Sequence, residues 1–332
     1  MIDTPFDSKA FSARAPWWGA DLQTLRNFVV GGAPKLPAHE SERVSLPLHD
    51  ESGDVLSGLL NRPAASTSAG DKPLVVLIHG LSGSEESSYM LFSAGYWLSR
   101  GHPVLRLNLR GAGPSRPTCA QQYHAGRTGD LRDVLAGLPQ SLTAPGLLLV
   151  GFSLGGNMLL KFLAEHGKGF PIVAAASVSA PIDLAAASAR FLDARNWFYH
   201  RHLLGNMKRE CFDGPVAVSA SERETIMACR SILEFDERVV APRNGYRDAA
   251  HYYAENHARR FLAEIEIPTL LVHALNDPWI PSYSYTSFPW KQNPSLHPVL
   301  AASGGHVGFH GRGSTTPYYD GCFGEFVDAL NA

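Results

Sequence analysis

The heptapeptide GFSLGGN, residues 151–157, sets one serine among three glycines. A serine hydroxyl becomes a useful nucleophile only when a base removes its proton and an acid orients that base. Gly151-Phe152-Ser153-Leu154-Gly155 has the G-x-S-x-G spacing of a nucleophile carried on a sharp strand-to-helix turn. Its context agrees, with LLLV before it and NMLLKFLAEH after it. Glycines two positions either side of the serine avoid collisions with the neighbouring strand and helix. The N-terminus of the following helix would aim N–H groups at negative charge developing beside the serine. In such an arrangement the acid and then the histidine follow in chain order, at the C-terminal ends of later strands. Asp277 closes LLVHALND and His306 closes VLAASGGH. Asp183, in SAPID, is a rival for the acid, but the Asn-Asp-Pro turn ends its strand directly and favours Asp277. Among other histidines, His310 lies four residues past His306, while His79 and His124 precede the serine. His273 sits inside a strand and reads as a satisfied core histidine. The segment HGLSGSEES, residues 79–87, follows LVVLI and supplies an oxyanion-hole loop. One backbone N–H is expected from Leu81 and the second from Leu154, with His79 holding the loop by hydrogen bonds.

These residues need a scaffold that brings strand ends together. Apolar runs at 73–80, 102–111, 146–153, 171–180, 268–277 and 297–306 predict strands buried on both faces. Residues 88–100, 129–138 and 157–167 show apolar stripes at helical spacing, with Gly101 and Gly167 where C-caps belong. This alternation predicts a mostly parallel α/β sheet with helices on both faces. Residues 42–62 read as a β-hairpin turning at Glu51–Asp54, which adds antiparallel strands at one edge. From 181 to 265 there is no clear strand, and a single crossover needs far fewer residues. The expected division is an N-terminal arm (1–41), a core (42–180 and 266–332) and a helical cap (181–265). The cap carries Phe191, Trp197, Phe198, Tyr199, Met207, Tyr252 and Tyr253. Small-molecule sites are concave and mostly apolar, so at least one of Trp197, Tyr199 and Trp279, the last just past Asp277, is expected to touch substrate.

Composition removes several alternatives. The chain has 332 residues, is 45% hydrophobic and carries a net charge of −2, with no basic run to meet a nucleic acid. Its 4 cysteines, Cys119, Cys211, Cys229 and Cys322, lie far apart, and no Cys/His group has metal spacing. Reduced thiols in a cytoplasmic protein, with no metal or organic cofactor, are the expectation. The first 22 residues lack the apolar core of a signal peptide, and Pro181 and Asp183 interrupt the longest apolar stretch, 171–189.

Longer segments carry a resemblance. PWWGADLQTL (16–25), LNLRGAGPSRPT, YHAGRTGDLRDVL, ILEFDERVVAPRNGYRDAAHYY and GGHVGFHG together resemble the YheT-like branch, AB hydrolase family 4, of the α/β-hydrolase superfamily. Asp21 stands where that family usually has histidine. The resemblance implies a serine hydrolase with a Ser153–Asp277–His306 charge-relay set. It also implies esterase activity on small or medium-chain carboxylic esters, with acylglycerols or phospholipids among the substrates of relatives. Arg110, Tyr123, His124 and Asp130 are expected to form a buried polar network fixing the loop after LNLRG, with Asp236 and Arg243 doing the same in the cap. Acyl transfer to an alcohol or thiol would use the same residues. A non-catalytic binding protein on a hydrolase fold would need none of the three.

Overall fold

Near-continuous runs of Val, Leu and Ile have no polar face to turn to water, and they form the centre of the sheet. A computed structural model describes residues 10–30, 34–64 and 72–331, without the side chains of Asn27 and Phe28. Parts of the expected arm (1–9 and 31–33) and core (65–71 and 332), including the start of the stretch read for a signal peptide, lie outside the described residues. The strands are β1 (His39–Pro47), β2 (Val55–Pro63), β3 (Leu74–Ile78), β4 (Val104–Leu107), β5 (Leu147–Phe152), β6 (Ile172–Val178), β7 (Thr269–Ala274) and β8 (Leu296–Ala301). They make an eight-stranded sheet in the order β1-β2-β4-β3-β5-β6-β7-β8. β1 pairs antiparallel with β2, and β2 antiparallel with β4; every other pairing is parallel.

The two-residue repeat of a strand divides the core into two layers. Leu74, Val76 and Ile78 of β3 pack with the helices Thr128–Gly137 and Leu154–His166 on one face. Val75 and Leu77 pack with Ser88–Ser99 and Tyr318–Leu330 on the other.

Between β6 and β7 the described chain is helical. Its main helices are Leu184–Phe191, Trp197–Glu210, Ala220–Ala228 and Ala249–Asn256, with a π-helical turn at Asp236–Val240. Asp183, Ser219 and Asp248 cap three of these by accepting a backbone N–H three residues on. The segment has its own apolar cluster, including Tyr199, Leu203, Met207, Ile226, Phe235 and Val239, against which Leu25, Leu81 and Trp279 pack. Among the described residues no helix is long and apolar enough to cross a membrane.

Candidate active site

Ser153 sits between β5 and the helix Leu154–His166 at φ 51° and ψ −121°. That conformation is strained for a residue with a Cβ. It is held because Ser153 N–H donates to the Val178 carbonyl at 2.8 Å, in the adjacent strand. A side chain at Gly155 would put its Cβ 2.3 Å from the His79 carbonyl oxygen, so only glycine lets this helix start so close to the loop after β3.

His306 and Asp277 meet the serine from the ends of β8 and β7. Ser153 Oγ lies 2.9 Å from His306 Nε2, and His306 Nδ1 lies 2.8 Å from Asp277 Oδ2. The other Asp277 oxygen accepts the N–H groups of Trp279 (2.8 Å) and Ile280 (3.1 Å). Burial pushes the Asp277 carboxyl upward. The neighbouring His306, by charge and hydrogen bond, and the Trp279 N–H outweigh it, and the acid is held below its ordinary range.

The histidine loop is fixed by an element that pattern reading passed over. In the helix Ala20–Val29, Thr24 Oγ1 accepts the His306 N–H at 2.9 Å and Gln23 Oε1 accepts the His310 N–H at 2.7 Å. Ser179 Oγ accepts the Val307 N–H and Asn276 Oδ1 the Gly305 N–H, each at 3.1 Å. The only sequence signal for Thr24 and Gln23 is their place in PWWGADLQTL.

The rival residues lie elsewhere. Asp183 accepts the Ala186 N–H as a helix cap. His310, buried in the same loop, carries a ring pushed down to about 3 by burial and by Arg26 and Arg14. His273 is buried in β7 but is not the hydrogen-bonded core histidine expected. Among the described residues neither of its ring nitrogens has a hydrogen-bond partner, and the ring stacks flat on Tyr285 at 3.9 Å.

Leu81 and Leu154 both line the space above Ser153, and among the described residues no acceptor meets the backbone N–H of either. His79 holds the loop of Leu81: its Nδ1–H donates to the Gly80 carbonyl (2.8 Å) and its Nε2 accepts the Leu109 N–H (3.1 Å). Burial pushes this histidine down to about 4 and keeps it neutral. Tyr123 adds a second support, its hydroxyl accepting the Ser82 N–H at 2.6 Å.

A cavity of about 830 Å³ opens over the serine. Its helical wall includes Phe191, Phe198, Tyr199, Met207, Tyr252 and Tyr253, and Trp279 lies beside His306 with ring centroids 4.2 Å apart. Trp197 does not line it, which corrects its place among the expected contacts. Trp197 is 64% exposed, and the Arg201 guanidinium sits over its ring one turn on. The inward stripe of that helix runs through Tyr199, Leu203 and Met207, and a residue two positions before Tyr199 faces away from it.

Residues 73–213 match the family described as alpha/beta hydrolase fold. The Escherichia coli protein named "Putative esterase YheT" is 33% identical over 72% of this chain and 71% of its own length. The chain belongs to the α/β-hydrolase superfamily. A second α/β-hydrolase, Phospholipase ABHD3 of Mus musculus, is 30% identical over 81% of this chain and 67% of its own. In fold, the Pyrococcus furiosus esterase Pf2001 is similar with a TM-score of 0.58, at 16% identity, over 90% of this chain and 98% of that one.

Four polar residues expected in one network divide three ways in this α/β-hydrolase. Arg110, wholly buried, donates to Asp130, Asp54 and Asp50. Tyr123 serves the loop after β3, and His124 Nδ1 accepts the Gly126 N–H at 3.1 Å. In the helical segment Asp236 meets Tyr253, while Arg243 reaches Glu222 and Gln122.

Proposed function

We propose that this α/β-hydrolase is a serine carboxylic ester hydrolase that works through an acyl-enzyme. The observation that carries the proposal is the continuous hydrogen-bonded line Ser153–His306–Asp277 beneath a largely apolar cavity. His306 Nε2 takes the Ser153 proton as Oγ attacks the ester carbonyl. The N–H groups of Leu81 and Leu154 receive the developing oxyanion. His306 returns the proton to the departing alcohol, leaving an acyl group on Ser153. It then takes a proton from water, which attacks the acyl carbon, and finally gives that proton back to Ser153 Oγ. Asp277 fixes the Nδ1–H tautomer and stabilises the imidazolium. Every group in the cycle is a side chain or backbone amide of this chain, and no cofactor is called for.

In this proposal the helices of 181–265 act as a cap that selects the substrate, and the rest of the chain performs the chemistry. The names of the relatives, an esterase and a phospholipase, support an acyl ester as substrate. The test is a fluorophosphonate probe together with p-nitrophenyl ester turnover. Ser153→Ala should lose labelling and about 10⁴–10⁶-fold of activity with its fold intact. Labelling that persists in the variant would refute the assignment.

A further inference from the structure

Six residues after the thoroughly paired Arg110, a second arginine is buried without a counter-charge. Arg116 lies in the helical turn Gly113–Thr118 after β4, lines the same cavity as Ser153 and is only 9% exposed. Its Nη1 donates to the Gly111 carbonyl at 3.5 Å, the outer limit of a hydrogen bond, and its buried Nε has no hydrogen-bond partner among the described residues. Among the described residues no carboxylate lies within ion-pair distance of it. The other two arginines that line the cavity differ. Arg127 has Asp50 and Asp130 within 4 Å, and Arg243 has Glu222 at 2.7 Å. Glu210, on the cavity wall, feels the charge of Arg116. Burial outweighs Ser82, Tyr123 and Arg116 and pushes it up to about 7, so Glu210 is a poor permanent counter-ion.

The space around the guanidinium is shaped for it. A Cβ on Gly214 would lie 1.5 Å from Nη2, and one on Gly111 would lie 2.5 Å from Nη1. The group therefore lies against the bare backbones of Gly111 and Gly214, on the wall of the cavity. Burying an unpaired cation is costly, and the cost is recovered when an anion with matching geometry arrives. A guanidinium offers a planar fork that fits the paired oxygens of carboxylate or phosphate.

Resting on the ester-hydrolase reading, we propose that Arg116 is an anion-binding subsite, and that the preferred esters carry a carboxylate or phosphate remote from the scissile bond. The apolar wall would take the aliphatic part while Arg116 takes the charged end.

Two sets of measurements test this. The first needs no turnover. Hexanoate and hexyl phosphate should raise the melting temperature of Ser153→Ala more than hexanamide and hexanol do, and adding Arg116→Gln should remove that difference. The second compares kcat/KM within pairs of equal chain length: p-nitrophenyl hexanoate against the p-nitrophenyl monoester of adipic acid, and hexanoylglycerol against hexanoylglycerol phosphate. The parent should favour the anionic member of at least one pair by about 10–100-fold, the range expected for hydrogen bonds to a charged group. The pair that responds tells carboxylate from phosphate. Arg116→Gln should bring the ratio close to one, Arg116→Lys should keep part of it, and Gly214→Ala should lower it by displacing the guanidinium. Equal melting shifts for anionic and neutral probes, or an anionic preference that survives in Arg116→Gln, overturns the subsite. Loss of neutral-ester turnover and of fluorophosphonate labelling in the parent would instead overturn the ester-hydrolase reading, while the melting shifts still decide the subsite.

Discussion

Asp277 and Asp236 are both buried aspartates beside one cavity, and their environments treat them in opposite ways. Asp277, on the strand side, has two backbone N–H groups on one oxygen and His306 on the other, and is held below its ordinary range. Asp236, on the helical side, has the Tyr253 hydroxyl 2.6 Å away, and burial pushes it up to about 7. Strand ends and the tight turns after them present free N–H groups that keep an anion charged. Helix interiors have already used theirs. The strand side can therefore hold charge in place for chemistry, whereas the helical side gives a lining of low charge suited to an acyl chain. Arg116 stands out against that lining because it is a guanidinium with no carboxylate within ion-pair distance among the described residues.

The largest expected effect tests this division directly. Asp277→Asn should leave the fold intact and lower kcat by about 10⁴-fold, because the histidine loses its tautomer control. Asp236→Asn should change kcat by no more than a few-fold. Steady-state kinetics on the two variants decide, and a larger loss in Asp236→Asn would reverse the roles assigned to the two sides. Next comes stability. Arg110→Met leaves Asp50, Asp54 and Asp130 facing one another with only the more distant Arg127 beside Asp50 and Asp130, and should cost about 3–5 kcal/mol in urea unfolding. Arg116→Met should cost little, since it removes a buried charge that has no carboxylate within ion-pair distance among the described residues. Equal losses in the two would mean that Arg116 is a structural residue like Arg110.

The two acids also predict opposite pH slopes. An aspartate raised to about 7 in the fold binds a proton that the unfolded chain, with an ordinary carboxyl near 3.8, has released. Its contribution to stability is full below the unfolded value and is lost as pH climbs towards 7. Asp277, lowered in the fold, contributes above the ordinary carboxylate range and loses its contribution as pH falls. Between pH 5 and 7 the Asp236 effect amounts to about 2 kcal/mol. Subtracting the urea-derived stability curve of Asp236→Asn from that of the parent should expose this fall with rising pH. A flat difference curve would show that Asp236 ionises normally and that the helical side is not a low-charge lining.

What could be read from the sequence follows the same division. Parallel strands buried on both faces announce themselves as unbroken apolar runs, and the six expected runs contain β3 to β7 and all of β8 but its first residue, Leu296. Strand ends fix direction as well as position, so Ser153, Asp277 and His306 could be singled out from the G-x-S-x-G spacing, the chain order and the ends of the apolar runs. Helical residues carry no such signal. Trp197, Phe198 and Tyr199 are consecutive on one helix and cover most of its circumference, so which of them faces the cavity depends on packing that pattern does not encode. Tyr199 points inward and Trp197 outward. Thr24 and Gln23 were hidden for another reason: they act on backbone groups some 280 positions away, a contact no local pattern reports.

The smallest effect concerns the fit of the acyl chain. Trp279 lies against His306 and against Tyr199, with ring centroids 5.3 Å apart in the latter pair, and both rings line the cavity. Each methylene that finds apolar cover adds up to about 0.8 kcal/mol, or about fourfold in kcat/KM, until the space is full. Across p-nitrophenyl esters from acetate to laurate, kcat/KM of the parent should climb and then fall. Trp279→Ala and Tyr199→Ala enlarge the cavity and should move the optimum to longer chains. Absolute rates are a poor guide here, because Trp279 also supports the His306 ring and the Tyr199 hydroxyl donates to Asp21 in the helix that carries Thr24. The position of the optimum separates pocket size from those losses, since a weakened triad lowers every ester alike. Trp197→Ala serves as the control: its ring lies outside the cavity, so its optimum should coincide with that of the parent. A shift in Trp197→Ala comparable to that in Trp279→Ala, or no shift in any variant, would mean that the helical side does not form the acyl pocket.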